Sequence, residues 1–331
     1  MEKQLNWGLL STARINRALI PPINASKRNH LLAVASRSRS TADAYAREWK
    51  IPRAHGSYED LLNDPQVDVI YNPLPNHMHA EWSIKAMRAG KHVLCEKPFA
   101  LTLEEVDAMI AASKETGKVL AEAFMYRHHP QTLKAKEIVE SGKLGKILVI
   151  KGEFSFKLDN PEDYRHFKEM GGGSIWDVGC YPISYARLIA GEEPVEVFGW
   201  QVLGAGGSDE VFAGQMRFAN GILSQFDSSF VSPYRVCMEI VGSEATLIIP
   251  KPFNPGPKTE IFIRRGDEQE SVKVKGEALY IGEVEDMADA ILLGKPSRMS
   301  LQDTRGNIAA ILALLESAEK GGPVLSDRAS K

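Results

Sequence analysis

A lysine set between a buried strand and a proline is the first residue of this chain that could do chemistry. The run Lys91-His-Val-Leu-Cys-Glu-Lys-Pro98 has that form. Val93 to Cys95 read as a buried strand, and Lys97 falls beyond its carboxyl end, where an open parallel sheet meets its ligands. Pro98 disfavours the α region for the residue before it, so Lys97 is expected to stay extended. The plainer alternative is a surface Lys-Pro turn. A second constellation lies in Gly171-Gly-Gly-Ser-Ile-Trp-Asp-Val-Gly-Cys-Tyr-Pro182. Asp177 and Tyr181 are four apart, and on a helix they share a face, about 6 Å apart along the axis. A carboxylate and a phenol side by side can bind a sugar hydroxyl and exchange its proton. Two other accounts compete: Ser174-x-x-Asp177 reads as a capping box, and Tyr181 as a core aromatic. Gly179 and Pro182 also interrupt helix regularity.

Three further segments could hold a nucleotide. Gly8-Leu-Leu-Ser-Thr-Ala13 follows the first strand, where a dinucleotide fold places Gly-x-Gly-x-x-Gly/Ala, but Leu10 replaces the second glycine. A helix amino terminus there would offer free N–H groups, with Ser11 and Thr12 adding hydroxyl donors. The second strand ends in Ser36-Arg37-Ser38-Arg39, with no acid to accept a ribose hydroxyl. Arg37 could pair with a 2′-phosphate while Ser36 or Ser38 donates to it, which favours NADP over NAD. Tyr71-Asn-Pro-Leu-Pro-Asn-His-Met-His79 ends a later strand, so Asn72, Asn76 and His77 could reach a nucleotide, although Asn76 could equally cap the next helix. His77 and His79 make no convincing metal pair without partner ligands, and no metal is expected.

The elements that must position these residues follow from periodicity. Strands at Leu5–Leu10, Leu31–Ala35, Val67–Asn72, His92–Cys95 and Val119–Ala123 alternate with helical patterns, the signature of βαβ units. The helices lie near Thr12–Ile20, Thr41–Trp49, Tyr58–Leu62, His77–Ala89 and Leu103–Thr116, with Ser57 and Thr102 as caps. The first should stop or kink at Pro21-Pro22. After about Pro130 the rhythm changes to a helix at Gln131–Ser141, a strand at Ile147–Phe156, and a helical stretch from Ser174 to Ala190. Strand patterns from Val195 to Val274 then follow without intervening helices. Their alternation predicts a mainly antiparallel sheet with one covered face. The fold class is therefore α/β, a doubly wound domain over 1–125 followed by an α+β substrate-binding and oligomerisation domain over 126–331. The closing helices, Ile281–Leu293 and Leu301–Ala318, carry no signal of which core they join.

Composition narrows the function. With 331 residues the chain is long enough for two cores, and 40 basic against 43 acidic residues, without runs, leave no basic face for nucleic acid or anionic membrane. Cys95, Cys180 and Cys237 are odd in number and set in apolar surroundings, which predicts buried reduced thiols and a cytoplasmic location. No segment approaches 18 consecutive apolar residues, and the first residues lack a secretory pattern, so neither membrane spanning nor export is expected.

Taken together, Gly8 to Ile15, Ala33 to Ser38, Gly90 to Pro98, Glu122-Ala-Phe-Met-Tyr-Arg127 and Gly171 to Pro182 resemble the Gfo/Idh/MocA oxidoreductases. The branch looks like that of dimeric dihydrodiol dehydrogenase, NADP-dependent D-xylose dehydrogenase and the sugar ketoreductases. The resemblance implies hydride transfer between NADP, or NAD, and a sugar or polyol, with Lys97 and Tyr181 as catalytic pair assisted by Asp177. It implies cofactor contacts from Gly8, Ser11, Thr12, Ala13, Arg14, Ile15, Ser36, Arg37, Ser38, Asn72, Pro73, Leu74, Asn76, His77, Glu96 and Lys97, with Glu122 and Arg127 near the nicotinamide. Arg165, Trp176, Asp177, Tyr181 and Lys97 would meet the substrate. A homodimer or homotetramer built on the second-domain sheet is also implied. A free phenol near pKa ~10 is a poor base at neutral pH, and a neighbouring ammonium such as Lys97 would stabilise its phenolate. Dihydrodiol oxidation is the alternative within this chemistry. A catalytically silent cofactor sensor, which has no need of a proton carrier, and an NAD-dependent glycosidase are the alternatives outside it.

Overall fold

Six short strands build the first sheet: β1 (Leu5–Leu10), β2 (Asn29–Ala35), β3 (Arg53–His55), β4 (Val69–Asn72), β5 (His92–Glu96) and β6 (Leu120–Ala123). The computed structural model describes residues 4–326. The spatial order is β3-β2-β1-β4-β5-β6, and every pairing is parallel. Strands covered on both faces read as near-continuous apolar runs, and all four residues of β4 are buried. The order reverses between β1 and β4, so the ligand crevice lies beyond their carboxyl ends. Helices α1 (Asn16–Ala25), α2 (Arg39–Trp49), α3 (Tyr58–Leu62), α4 (His79–Arg88) and α5 (Leu103–Thr116) make the crossovers. The expected caps are present: the hydroxyls of Ser57 and Thr102 accept from the amides of Asp60, at 3.0 Å, and Glu105, at 3.1 Å.

The second sheet has nine strands. They are β7 (Ile147–Ser155), β8 (Pro194–Leu203), β9 (Asp209–Phe218), β10 (Leu223–Ser229), β11 (Arg235–Gly242), β12 (Thr246–Ile249), β13 (Lys258–Arg265), β14 (Glu268–Lys275) and β15 (Val324–Leu325). Their order is β14-β13-β12-β11-β7-β10-β9-β8-β15, antiparallel throughout except for the parallel pair β7 and β10. Helix α6 (Pro130–Glu140) precedes β7, and α7 (Cys180–Ala190) covers it. That approach is close: a Cβ on Gly152 of β7 would stand 2.5 Å from the Cβ of Pro182. At β8 a Cβ on Gly199 would stand 2.8 Å from the carbonyl of Leu314 in a later helix. Glycine at both points is therefore a packing requirement.

Four features differ from the sequence expectations. Helix α1 begins at Asn16 rather than Thr12 and continues through Pro21-Pro22 to Ala25. Burial of Leu19, Ile20 and Ile23 in the core with Trp7 and Leu31 outweighs the proline interruption. Strand β3 was not expected, because three residues at a sheet edge are too few to show an alternating pattern. The two-residue β15 was missed for the same reason. Finally, helix α8 (Ile281–Leu293) joins the first unit, with Val284, Met287 and Ala288 in its core and Arg28 reaching Asp289 at 2.5 Å and Glu285. The first unit thus runs to His128 and includes Tyr280–Thr304, while the second comprises His129–Leu279 and the chain from Arg305. Helix α9 (Leu301–Lys320) crosses that division. The carboxyl-terminal part is accordingly not one continuous domain from residue 126.

Candidate active site

The turn after β1 closes without the second glycine. Ser11 takes φ 109°, a left-handed backbone that side chains rarely adopt. Its amide donates to the Ala35 carbonyl at 3.1 Å, and the buried Asn16 amide donates to the Ser11 carbonyl at 2.9 Å. The Ala13 amide points back to the Ser11 hydroxyl at 3.2 Å. Residues 11–15 therefore form a tight turn ahead of α1, with Ser11, Thr12, Ala13 and Ile15 half-buried and Arg14 exposed. Gly8 lies inside β1, where a Cβ would meet Leu61 Cδ1 at 2.9 Å, so its absent side chain already has a packing reason.

At the end of β2, Ser38 caps α2 by accepting from the Thr41 amide, and Arg37 is exposed. No carboxylate occupies the run from Ser36 to Ser40. At the end of β4, Asn72 turns inward. Its side chain is fully buried, donating to the His79 carbonyl at 3.1 Å and the Ser83 hydroxyl at 3.0 Å, and accepting from the Leu74 amide at 3.3 Å. Through these bonds Asn72 shapes the Pro73-Leu74-Pro75 loop. Pro73 and Leu74 are buried in that loop, and His77 is exposed. Asn76 opens a 3-10 turn (Asn76–Met78), and the N-cap position of α4 is Met78.

Lys97 is half-buried directly beyond β5, joined to Pro98 by a cis peptide. Its surroundings in the first unit are built to fix the turn. The Lys97 amide donates to Glu96 Oε2 at 3.2 Å, the other oxygen of Glu96 accepts from the Tyr71 hydroxyl, and the Phe99 amide donates to Glu122 Oε1 at 3.1 Å. Glu122 is 1% exposed, and its bond from the Phe99 amide ties β6 to the turn that carries Lys97. Arg127 is likewise buried and paired with Asp303. A further carboxyl, Glu283 of α8, is fully buried and makes no hydrogen bond among the described residues. Burial first, and then the charge of Glu96, pushes it well above the usual carboxylate range.

In the second unit, helical backbone leads into α7 through a π turn (Ile175–Gly179). Pro182 lacks an N–H and its ring crowds the carbonyl four residues earlier, and the wider turn accommodates it. The capping-box alternative is overturned. The Ser174 hydroxyl donates to Asp209 Oδ2 at 2.6 Å, and the Ile175 amide donates to the same oxygen at 2.9 Å. Asp177 instead accepts from Arg165 Nη1 at 3.0 Å. Arg165 is held from its other side by Asp163, through Nε and Nη2, both at 2.9 Å. Burial opposes ionisation of Asp163, yet the Arg165 hydrogen bonds hold its carboxyl below the usual range. Trp176 is buried, and the Tyr181 ring packs against both Phe154 and Phe253, with centroids at 5.5 and 5.3 Å, while those two rings stack on each other at 5.4 Å. A ring clamped in this way has a defined direction for its hydroxyl.

The structure thus groups Glu96, Lys97 and Glu122 in one unit and Arg165, Asp177 and Tyr181 in the other. Sequence reasoning did not single out Asp163, Asp209 or Asp303. The pattern Asp163-x-Arg165 was the only available signal for the first; the other two meet their partners across long sequence separations. Cys95 and Cys180 are buried and Cys237 is half-buried, and none of the three is in a disulfide among the described residues. Among the described residues no cluster of His, Cys, Asp and Glu could hold a metal ion, and no helix is long and apolar enough to cross a membrane.

A parallel sheet with a switch-point crevice, followed by a mainly antiparallel sheet carrying polar side chains at one helix start, defines a nicotinamide-dependent oxidoreductase architecture. Residues 5–124 match the oxidoreductase family with NAD-binding Rossmann fold, and residues 132–248 match the GFO/IDH/MocA C-terminal domain. The chain belongs to the Gfo/Idh/MocA family of NAD(P)-binding oxidoreductases. It is 36% identical over 326 residues to D-xylose 1-dehydrogenase (NADP(+)) 2 of Haloferax volcanii, covering 97% of this chain and 99% of that one. It is 30% identical over 250 residues to trans-1,2-dihydrobenzene-1,2-diol dehydrogenase of Danio rerio, covering 74% of each. Among solved structures it is similar to the 3-ketoreductase KijD10 of Actinomadura kijaniata in complex with NADP and TDP-benzene. There the TM-score is 0.90 at 26% identity, over 95% of this chain and 98% of that one.

Proposed function

We propose that this chain is an NADP-preferring dehydrogenase or reductase acting on an uncharged sugar or polyol. The observation that carries the reading is the placement of Lys97 at the carboxyl end of β5, in a turn fixed by Glu96 and Glu122. When bound, the nicotinamide accepts or returns a hydride at the carbinol carbon. The residues of the chain supply the rest. Tyr181 carries the hydroxyl proton, Lys97 favours its phenolate and polarises a carbonyl oxygen, and Asp177, oriented by Arg165, binds a neighbouring hydroxyl. The Ser11 turn offers backbone amides and a hydroxyl to the pyrophosphate. Exposed Arg37 suits a 2′-phosphate.

An uncharged substrate is favoured because Arg165 is already flanked by two carboxylates, Asp163 and Asp177. The trio carries net negative charge and is poorly suited to a phosphate. The D-xylose dehydrogenase relative supports the same reading. A homodimer and a cytoplasmic location complete the proposal. The test is isotopic: an aldose deuterated at the carbon to be oxidised should deliver its deuterium to the reduced nicotinamide, read by mass spectrometry. Reduced cofactor free of deuterium, with any sugar or diol that turns over, would refute direct hydride transfer.

A further inference from the structure

His79, the first residue of α4, is completely buried, yet both of its ring nitrogens meet backbone carbonyls. Nδ1 lies 2.8 Å from the carbonyl of Pro98, and Nε2 lies 2.7 Å from the carbonyl of Leu74. Those carbonyls belong to the two loops that leave β4 and β5 at the crevice, one of them the residue following Lys97. The backbone of His79 is tied as well, since its own carbonyl accepts from Asn72. Asn72, hydrogen-bonded to Ser83 and opposite Cys95 in the sheet register, is like both of them without exposed surface. An apolar residue would fill the space, but it would leave a buried carbonyl without this donor, which is unfavourable.

We infer that His79 is a positioning residue, which holds the Lys97-Pro98 backbone against the Leu74 loop and thereby fixes where the lysine sits. The inference rests on the proposed catalytic role of Lys97. Burial, with Lys97 and His77 adding positive charge, lowers the imidazole to about 4 against the pull of the two carbonyls. At neutral pH the ring therefore carries one proton and donates to one carbonyl at a time. The second tie runs through Asn72, which donates to the His79 carbonyl and accepts from the Leu74 amide.

A double-mutant cycle with Lys97→Ala separates positioning from mere folding support. His79→Phe keeps an aromatic ring in place and removes the donor. It should lower kcat roughly 10-fold to 100-fold, the scale of a small misplacement, while the NADP dissociation constant, by fluorescence titration, stays within about threefold. His79→Gln, which retains an N–H donor, should recover part of the loss, and it replaces His79→Phe in the cycle should the latter fail to fold. In the Lys97→Ala background either His79 replacement should cause no further loss of kcat, because the group being positioned is gone. A loss that persists in that background would overturn the positioning role alone. Wild-type turnover in the single His79 variants would overturn it too. Wild-type turnover in Lys97→Ala would overturn the lysine reading, and this inference with it.

Discussion

At the scale of single residues, the account separates groups that act from groups that hold. Tyr181→Phe keeps the ring against Phe154 and Phe253 and removes only the hydroxyl. Turnover should therefore fall by about 10²–10⁴, the usual worth of a positioned proton carrier, with NADP affinity nearly unchanged. A variant turning over at the wild-type rate would return Tyr181 to the role of a core aromatic. Arg37→Ala should weaken NADP binding by roughly 1.5–3 kcal/mol and spare NAD, because only the former offers a 2′-phosphate to the guanidinium. Equal losses for the two cofactors in a fluorescence titration would remove that assignment. Lys97, Asp177 and Tyr181 could be singled out as candidates because each sits in a run whose residue types already suggest chemistry, whereas Arg165 lies in a segment without such a pattern. His79, Asp163 and Asp209 could not be, since their roles depend on which atoms face them. A sequence shows a histidine near a strand end; it does not show two carbonyls meeting its ring.

At the scale of elements, α8 and α1 show where periodicity stops being informative. The bounds of Ile281–Leu293 could be read from its pattern, but its partner core could not, because the apolar stripe of a helix does not name the surface that receives it. In α1, two prolines argued for a stop and tertiary burial decided otherwise. The irregularity expected from Gly179 and Pro182 did materialise, as the π turn that leads into Tyr181. Asp209 of β9 anchors that turn, and its titration gives a test. Burial raises its carboxyl from the ordinary 3.8 to about 6, against the hydrogen bonds from Ser174 and Ile175. A raised folded value means the native state holds this proton more tightly than the unfolded chain does. Its contribution to stability is complete below the unfolded value and is lost as pH rises through the folded one. Asp209→Asn has no such proton. Its stability relative to wild type should therefore climb between about pH 4 and pH 6, by roughly 2–3 kcal/mol. Urea denaturation of both proteins across that range measures it, and a pH-independent difference would contradict the buried-carboxylate account.

At the scale of the whole molecule, the open face of the second sheet remains to be covered. Trp200, Val202 and Leu223 are 57%, 60% and 49% exposed there, and a groove of about 650 Å³ lined by Phe198, Trp200, Gln215 and Leu223 runs across it. Large apolar side chains gathered on one face mark an association surface, and a second copy of the chain is the proposed occupant. Light scattering at micromolar concentration should return at least the dimer mass, and Trp200→Glu should shift it toward the monomer; a monomeric wild-type protein would dismiss the proposal. The central claim is that the intact chain moves a hydride between NADP and an uncharged sugar. It is tested most directly by following nicotinamide absorbance with NADP or NAD against pentoses, hexoses, dihydrodiols, sugar phosphates and nucleotide-linked sugars. The account predicts that an unphosphorylated sugar or polyol gives the highest kcat/KM, and gives it with NADP. The highest kcat/KM on a phosphorylated or nucleotide-linked sugar, or with NAD, would contradict it.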